Sequence, residues 1–218
     1  MSVDSTVSGL LRQIATQDVV ELQDGMGRAG RLAVQAAVVE QYGFEYGEAW
    51  RPGRVGQNDS TLAVVMYRDP RPEARAREAA TIAAFPQAGQ GGPVPGLRPG
   101  TLKPLPETEQ AVAHLKDRIG FDAMADAATA GQKRIAWGGM GVVVLMLLIS
   151  GFYLGALIGG ALMSGFLLFA FRIGDIRRRK ITERLTAAGF AAVRDEHGRQ
   201  RFLRPGQQLP GHANPFGS

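Results

Sequence analysis

Residues 135–171 read IAWGGMGVVVLMLLISGFYLGALIGGALMSGFLLFAF, 37 consecutive positions without Asp, Glu, Lys, Arg or His. As one helix the run would extend about 55 Å at about 1.5 Å per residue, against a hydrocarbon layer about 30 Å thick, an excess that tilt does not absorb. Two spans of roughly 18 residues match the layer, so the run predicts a helical hairpin that crosses a bilayer twice. Ser150, Gly151 and Gly155 interrupt the apolar pattern and mark the turn, with Phe152 and Tyr153 suited to the outer interface.

The flanks set the orientation. Lys133 and Arg134 precede the run, and Arg172, Arg177, Arg178, Arg179 and Lys180 follow it, so both ends of the hairpin are expected on the cytoplasmic side of the cell membrane. Residues 1–134 carry 15 Lys/Arg and 16 Asp/Glu, whereas residues 172–218 carry 10 and 4. The net charge of +5 therefore belongs to the tail. A basic excess beside an apolar segment points to topology and to anionic lipid, at about 1 kcal/mol per Lys or Arg near the surface, rather than to nucleic acid. The five residues Arg172, Arg177, Arg178, Arg179 and Lys180 are the candidate lipid contacts. Residues 1–20 contain Asp4 and Asp18 and no apolar core, so the first span is expected to serve as its own insertion signal.

Within the run, Gly151, Gly155 and Gly159 recur every four residues, and Gly160 with Ser164 repeats that spacing on a neighbouring stripe. Small residues so spaced let helix backbones approach, which strengthens dispersion contacts in a solvent that supplies no hydrophobic drive between helices. Two uses stay open: a seam between copies of the chain in a homo-oligomer, or packing of the second span on the first.

Residues 1–86 read as a small α+β region. Val7, Leu10, Leu11 and Ile14 recur at helical spacing, and a second helix is expected over 28–42, closed by Gly43. Strands are expected over 44–50 and 61–67, the latter buried, followed by a helix from Pro72 to Phe85. Residues 87–106 are rich in Gly and Pro and predict a linker without a core. Over 107–134, Val112, Leu115, Ile119 and Ala123 predict an amphipathic juxtamembrane helix lying on or near the cytoplasmic bilayer surface. Residues 172–204 predict a basic helix closed by Gly189 and a β-hairpin around Asp195 to Gly198, which is expected to add to the 61–67 strand. Residues 205–218, with three prolines, predict a poorly ordered tail.

The segments LTAAGF (185–190), DEHGR (195–199) and PGQQLPGHANPF (205–216), after a polybasic membrane exit, resemble the tails of uncharacterised actinobacterial integral membrane proteins. The resemblance covers about the last third of the chain. It implies a membrane location and carries no activity onto particular residues.

Chemistry is sparse. The chain has no cysteine, and its three histidines, His114, His197 and His212, fall on a helix, a turn and the tail. No nucleophile elbow, phosphate loop or dinucleotide glycine pattern is expected to follow a strand and open a helix. Gly25, Gly27 and Gly30 superficially suggest phosphate binding, but no apolar strand precedes them and no Lys follows at the needed spacing. The expectation is an α+β cytoplasmic region with a two-helix transmembrane hairpin, acting without enzymatic activity, cofactor or metal. Its role would be a membrane-anchored scaffold or regulator with a protein partner still to be identified. The alternative is a small oligomeric pore packed through Gly151, Gly155 and Gly159.

Overall fold

A computed structural model of the chain describes residues 3–52, 60–127, 130–196 and 198–207. In chain order its elements are α1 (Val3–Thr16), β1 (Val19–Asp24), α2 (Ala29–Gln41), β2 (Phe44–Trp50), β3 (Leu62–Arg68), α3 (Pro72–Ala84), α4 (Pro106–Ala127), α5 (Ala130–Ile149), α6 (Tyr153–Ala187), β4 (Ala191–Arg194) and β5 (Gln200–Leu203). The chain is thus a mixed helix-and-sheet protein with one long apolar helix, α6.

Strand β3 is buried along most of its length and pairs antiparallel with β1 on one side and β2 on the other. Its β-branched run fits that doubly flanked position. β1 was not legible in the sequence, because Glu21 and Gln23 alternate with only Val20 and Leu22 on the buried face. Helix α2 crosses between β1 and β2 and buries Leu32, Ala33, Ala36 and Val39.

Helix α4 departs from its expected place. The predicted apolar face is real, but Leu115 and Ile119 are fully buried in the core shared with α2 and the first sheet, and Ala123 is nearly so. A helix that spends this face on a protein core has none left to lay on lipid. The Gly/Pro segment 87–106 is likewise no free linker. It carries a 3-10 turn at Ala88–Gln90, a bridge between Leu97 and Pro104, and two residues, Ala88 and Leu97, buried in the same core. Glycine and proline preclude a long helix there, yet they permit tight turns that fold the segment back onto α1 and α2.

The turn between α5 and α6 falls at residues 150–152, with Gly151 at φ +80°, where the sequence marked it. Span and basic helix, expected as two pieces, form one continuous helix of 35 residues. It ends where expected. The Gly189 N–H bonds the Thr186 carbonyl and the Phe190 N–H bonds the Leu185 carbonyl, both at 3.0 Å, with Gly189 at φ +85°. This is a Schellman cap, and Phe190 packs on Leu185 across it.

β4 and β5 form the expected hairpin but do not add to β3, whose two edges β1 and β2 already occupy. The hairpin instead docks by side chains against β2 and α4. Of the expected loose tail, residues 208–218 lie outside the described residues, while Gln207 is buried.

Candidate functional site

Two regions stand out physically: the bare apolar surface of α5 and α6, and the charged joint that fastens the tail to the domain beneath them.

Helices α5 and α6 run antiparallel. The shielded positions recur at helical spacing as Ala136, Met140, Val144 and Leu147 on α5 and as Ala156, Gly160, Ser164 and Leu167 on α6. A Cβ added to Gly160 would lie 3.3 Å from Val144, and the Ser164 hydroxyl donates to the Gly160 carbonyl at 2.8 Å and reaches Met140 Sδ at 3.5 Å. Gly160 and Ser164 are therefore the seam within the hairpin. The other stripe is not. Gly151 is in the turn, a Cβ at Gly155 would meet only Phe152 of its own first turn, and one at Gly159 would meet nothing within 4 Å. Outside the seam, Leu145, Ile149, Leu154, Leu157, Leu162, Phe166 and Phe169 are all exposed. In the apolar part of α6 only 6% of the residues are buried, which separates it from the core helix of a soluble protein.

Below the apolar stretch, α6 packs on α4: Arg184 pairs with Asp117 at 3.1 Å, and Leu185 packs on Phe121. The five candidate lipid contacts divide here. The Arg178 guanidinium lies 4.6 Å from the centre of the Phe121 ring, so it belongs to the α4–α6 contact. Arg179 pairs with Glu183 at the surface, and Arg172, Arg177 and Lys180 are exposed.

The joint follows directly. The ring of Phe202 on β5 meets Phe121 edge-on, with centroids 4.9 Å apart. Beside it, β2 bulges at Gly47, where the pairing with β3 slips between Tyr46 and Glu48. The slip leaves main-chain groups of β2 facing outward, and side chains cap them. Asp122 of α4 accepts the Ala49 N–H at 3.4 Å, Arg201 donates to the Gly47 carbonyl at 3.4 Å, and Gln207 Nε2 donates to the Tyr46 carbonyl at 2.7 Å. An exposed strand edge is a hazard, and this one is closed without a further strand.

The charges are arranged in opposed pairs. Arg201 bonds Glu48, reaches Asp195 at 3.0 Å and lies 3.9 Å from Asp122. The Tyr46 hydroxyl donates to Asp122 at 2.6 Å. Burial, then the Asp122 charge, push the Tyr46 phenol well above its usual value; burial also raises Asp122, against the opposing pull of Tyr46, Arg201 and Arg118. For Asp195 burial acts upward, but the Arg199 N–H and the Arg201 and Arg199 side chains hold the carboxyl at about 2. Arg118 is 2% exposed, with its guanidinium 4.4 Å from the Tyr46 ring centre and 5.4 Å from that of Phe190, and its Nη2 donates to Gln207 Oε1 at 2.9 Å. Desolvation lowers its pKa, while the neighbouring acidic groups oppose that change. These perturbed groups face one another across the contact that fastens β5 and Gln207 to β2 and α4.

Two other features carry less. The Gly25-Gly27-Gly30 loop does follow a strand, β1, and open a helix, α2, contrary to the sequence reading. Three of its donors are already committed, since Asp24 Oδ1 accepts the Met26 and Arg28 N–H groups at 2.9 and 3.2 Å and the Asp24 carbonyl accepts the Gly27 N–H at 2.9 Å. Asp24 thereby fills the inside of the loop, where a cradled phosphate would sit. A cavity of about 390 Å³ lies between α1 and residues 88–101, with Arg98 in its lining.

The fold and these regions define a mixed α/β chain with a long apolar helix set on a charge-fastened domain. Comparisons with protein families, with curated proteins and with solved structures find no match to this chain.

Proposed function

We propose that this chain is a membrane-anchored scaffold or regulatory protein without catalytic activity, whose α5–α6 hairpin crosses the cell membrane twice and holds the α+β domain at the cytoplasmic face. The observation that carries the reading is the charge-free hairpin whose large side chains face outward while only its narrow seam is covered. In water that surface is prohibitively costly; in lipid it is the favourable one. α5 contributes the apolar stretch Ile135–Ile149, shorter than that of α6, and its Trp137 is placed for an interface. The basic exit, Arg172, Arg177, Arg179 and Lys180, suits anionic headgroups and keeps both ends inside. The scaffold role is supported by the joint, in which Tyr46, Asp122, Asp195 and Arg201 hold the chain's own segments together.

Reporter fusions test the topology: activity is expected from a cytoplasm-dependent reporter at either end, and a signal from a periplasm-dependent one at either end defeats the double crossing. Capture of the full chain from gently solubilised membranes is expected to bring a partner in fixed ratio. Substrate turnover by the purified protein would remove the non-enzymatic reading. A second reading, a small oligomeric pore, is favoured by the Gly155 and Gly159 stripe, which α5 leaves uncovered. A monomer in detergent and in lipid, without conductance, disposes of it.

A further inference from the structure

Helix α4 points the domain. It starts near the C-terminal end of α2, where Thr108, Ala111 and Val112 border the same small cleft as Ala37, Val38 and Gln41. Further along, Asp122 has reached Ala49, in the last turn of chain before β2 ends at Trp50. The C-terminal end of α4 therefore lies toward the end of the sheet where β2 finishes, where β1 (parallel to β2) also finishes and where α2 begins. α4 and α5 both lie antiparallel along the single helix α6, through Asp117 with Arg184 and through Met140 with Ser164. They consequently point the same way, and the loop joining β1 to α2 faces the side on which the apolar hairpin stands.

That loop has an unusual tip. Met26 is 70% exposed between Gly25 and Gly27. Beside it, the Arg28 and Arg31 side chains are 52% and 37% exposed and share a single carboxylate, Asp24, at 3.3 and 3.8 Å. Two cations on one buried anion leave the surface positive.

We propose that the β1–α2 loop is a second lipid contact: Met26 seats in the boundary between headgroups and acyl chains, and Arg28 and Arg31 lie on the phosphates of anionic lipid. The inference rests on the hairpin's being in the membrane. An apolar tip flanked by two arginines is matched to that boundary, where an unbranched side chain leaves water while guanidinium groups stay hydrated and bond phosphate. The hairpin tethers the loop at high effective concentration, so a contact too weak to recruit the domain alone still fixes its tilt.

The absence of cysteine allows single labels on the full chain. Met26→Cys, Leu157→Cys and Glu73→Cys, the last exposed at the opposite end of the sheet, carry an environment-sensitive fluorophore. Each is reconstituted into phosphatidylcholine vesicles with and without phosphatidylglycerol. The Leu157 probe is expected to read lipid in both and the Glu73 probe water in both. The Met26 probe is expected to shift to the blue only with phosphatidylglycerol, and to lose that shift in high salt and in Arg28→Gln/Arg31→Gln. A Met26 signal equal to that of Glu73, or indifferent to the anionic lipid, overturns the contact while a lipid signal at Leu157 leaves the hairpin standing. Water at Leu157 brings down both.

Discussion

Gly47 sits where β2 slips its register, and a Cβ there would lie 2.3 Å from the Tyr67 ring, inside contact distance. Gly47→Ala must displace that ring or flatten the bulge, and the expected cost is about 1–3 kcal/mol, read as a lower denaturant midpoint. Arg201 is the other residue on which the joint turns, because Glu48, Asp122 and Asp195 all face it. Its removal takes a cation from all three and leaves Arg199 with Glu48 and Asp195. Arg201→Ala is expected to cost about 2–3 kcal/mol, less than a fully buried broken pair, because Glu48 is 31% exposed and Arg199 remains beside it. Chemical denaturation of the two variants side by side checks both values.

At the scale of elements, the β4–β5 hairpin has an acid limit. Asp195 is held at about 2 in the fold, below the value near 3.9 of an unfolded chain, so its contribution is present above about pH 4 and lost as pH falls through about 2. Asp122 has the opposite sign: its raised pKa makes protonation favour the fold, so it does not drive the acid loss. Fluorescence of a label on Ala192, followed from pH 5 to pH 1.5, should report release of the hairpin within that window; release already complete at pH 4.5 contradicts the assignment. The α5–α6 hairpin makes a second claim. Gly160→Leu drives a side chain into Val144 and is expected to abolish cross-linking between cysteines placed at Met140 and Ser164, while Gly159→Leu, aimed into open space, leaves it intact.

In the whole molecule, residues far apart in sequence behave as one unit, since Arg201 bonds Glu48 at a separation of 153 residues and Gln207 bonds Tyr46 at 161. Loosening the tail should therefore be felt on β2. Hydrogen exchange of Arg201→Ala is expected to lose protection in β4, β5 and around Ala49 together, and to keep it in β1 and β3; loss confined to β4 and β5 refutes the coupling.

Local composition alone was enough for the features it controls. A bilayer is a solvent sampled along the chain, so 37 uncharged residues and the glycine that divides them predict an apolar hairpin without reference to any other segment. Helix and strand types for α1, α2, β2, β3 and α3 follow from periodicity and from Gly and Pro at their ends, and β1 escaped because two buried apolar residues make too short an alternation. The candidate contacts needed partners that periodicity does not name. Only the tertiary structure decided that Gly160 and Ser164 form the seam rather than Gly155 and Gly159, that Arg178 rests on Phe121, and that α4 spends its apolar face on α2. The physical reason is that an apolar or small face specifies only that something must cover it, and what covers it is set by long-range packing and by which strand edges are already filled.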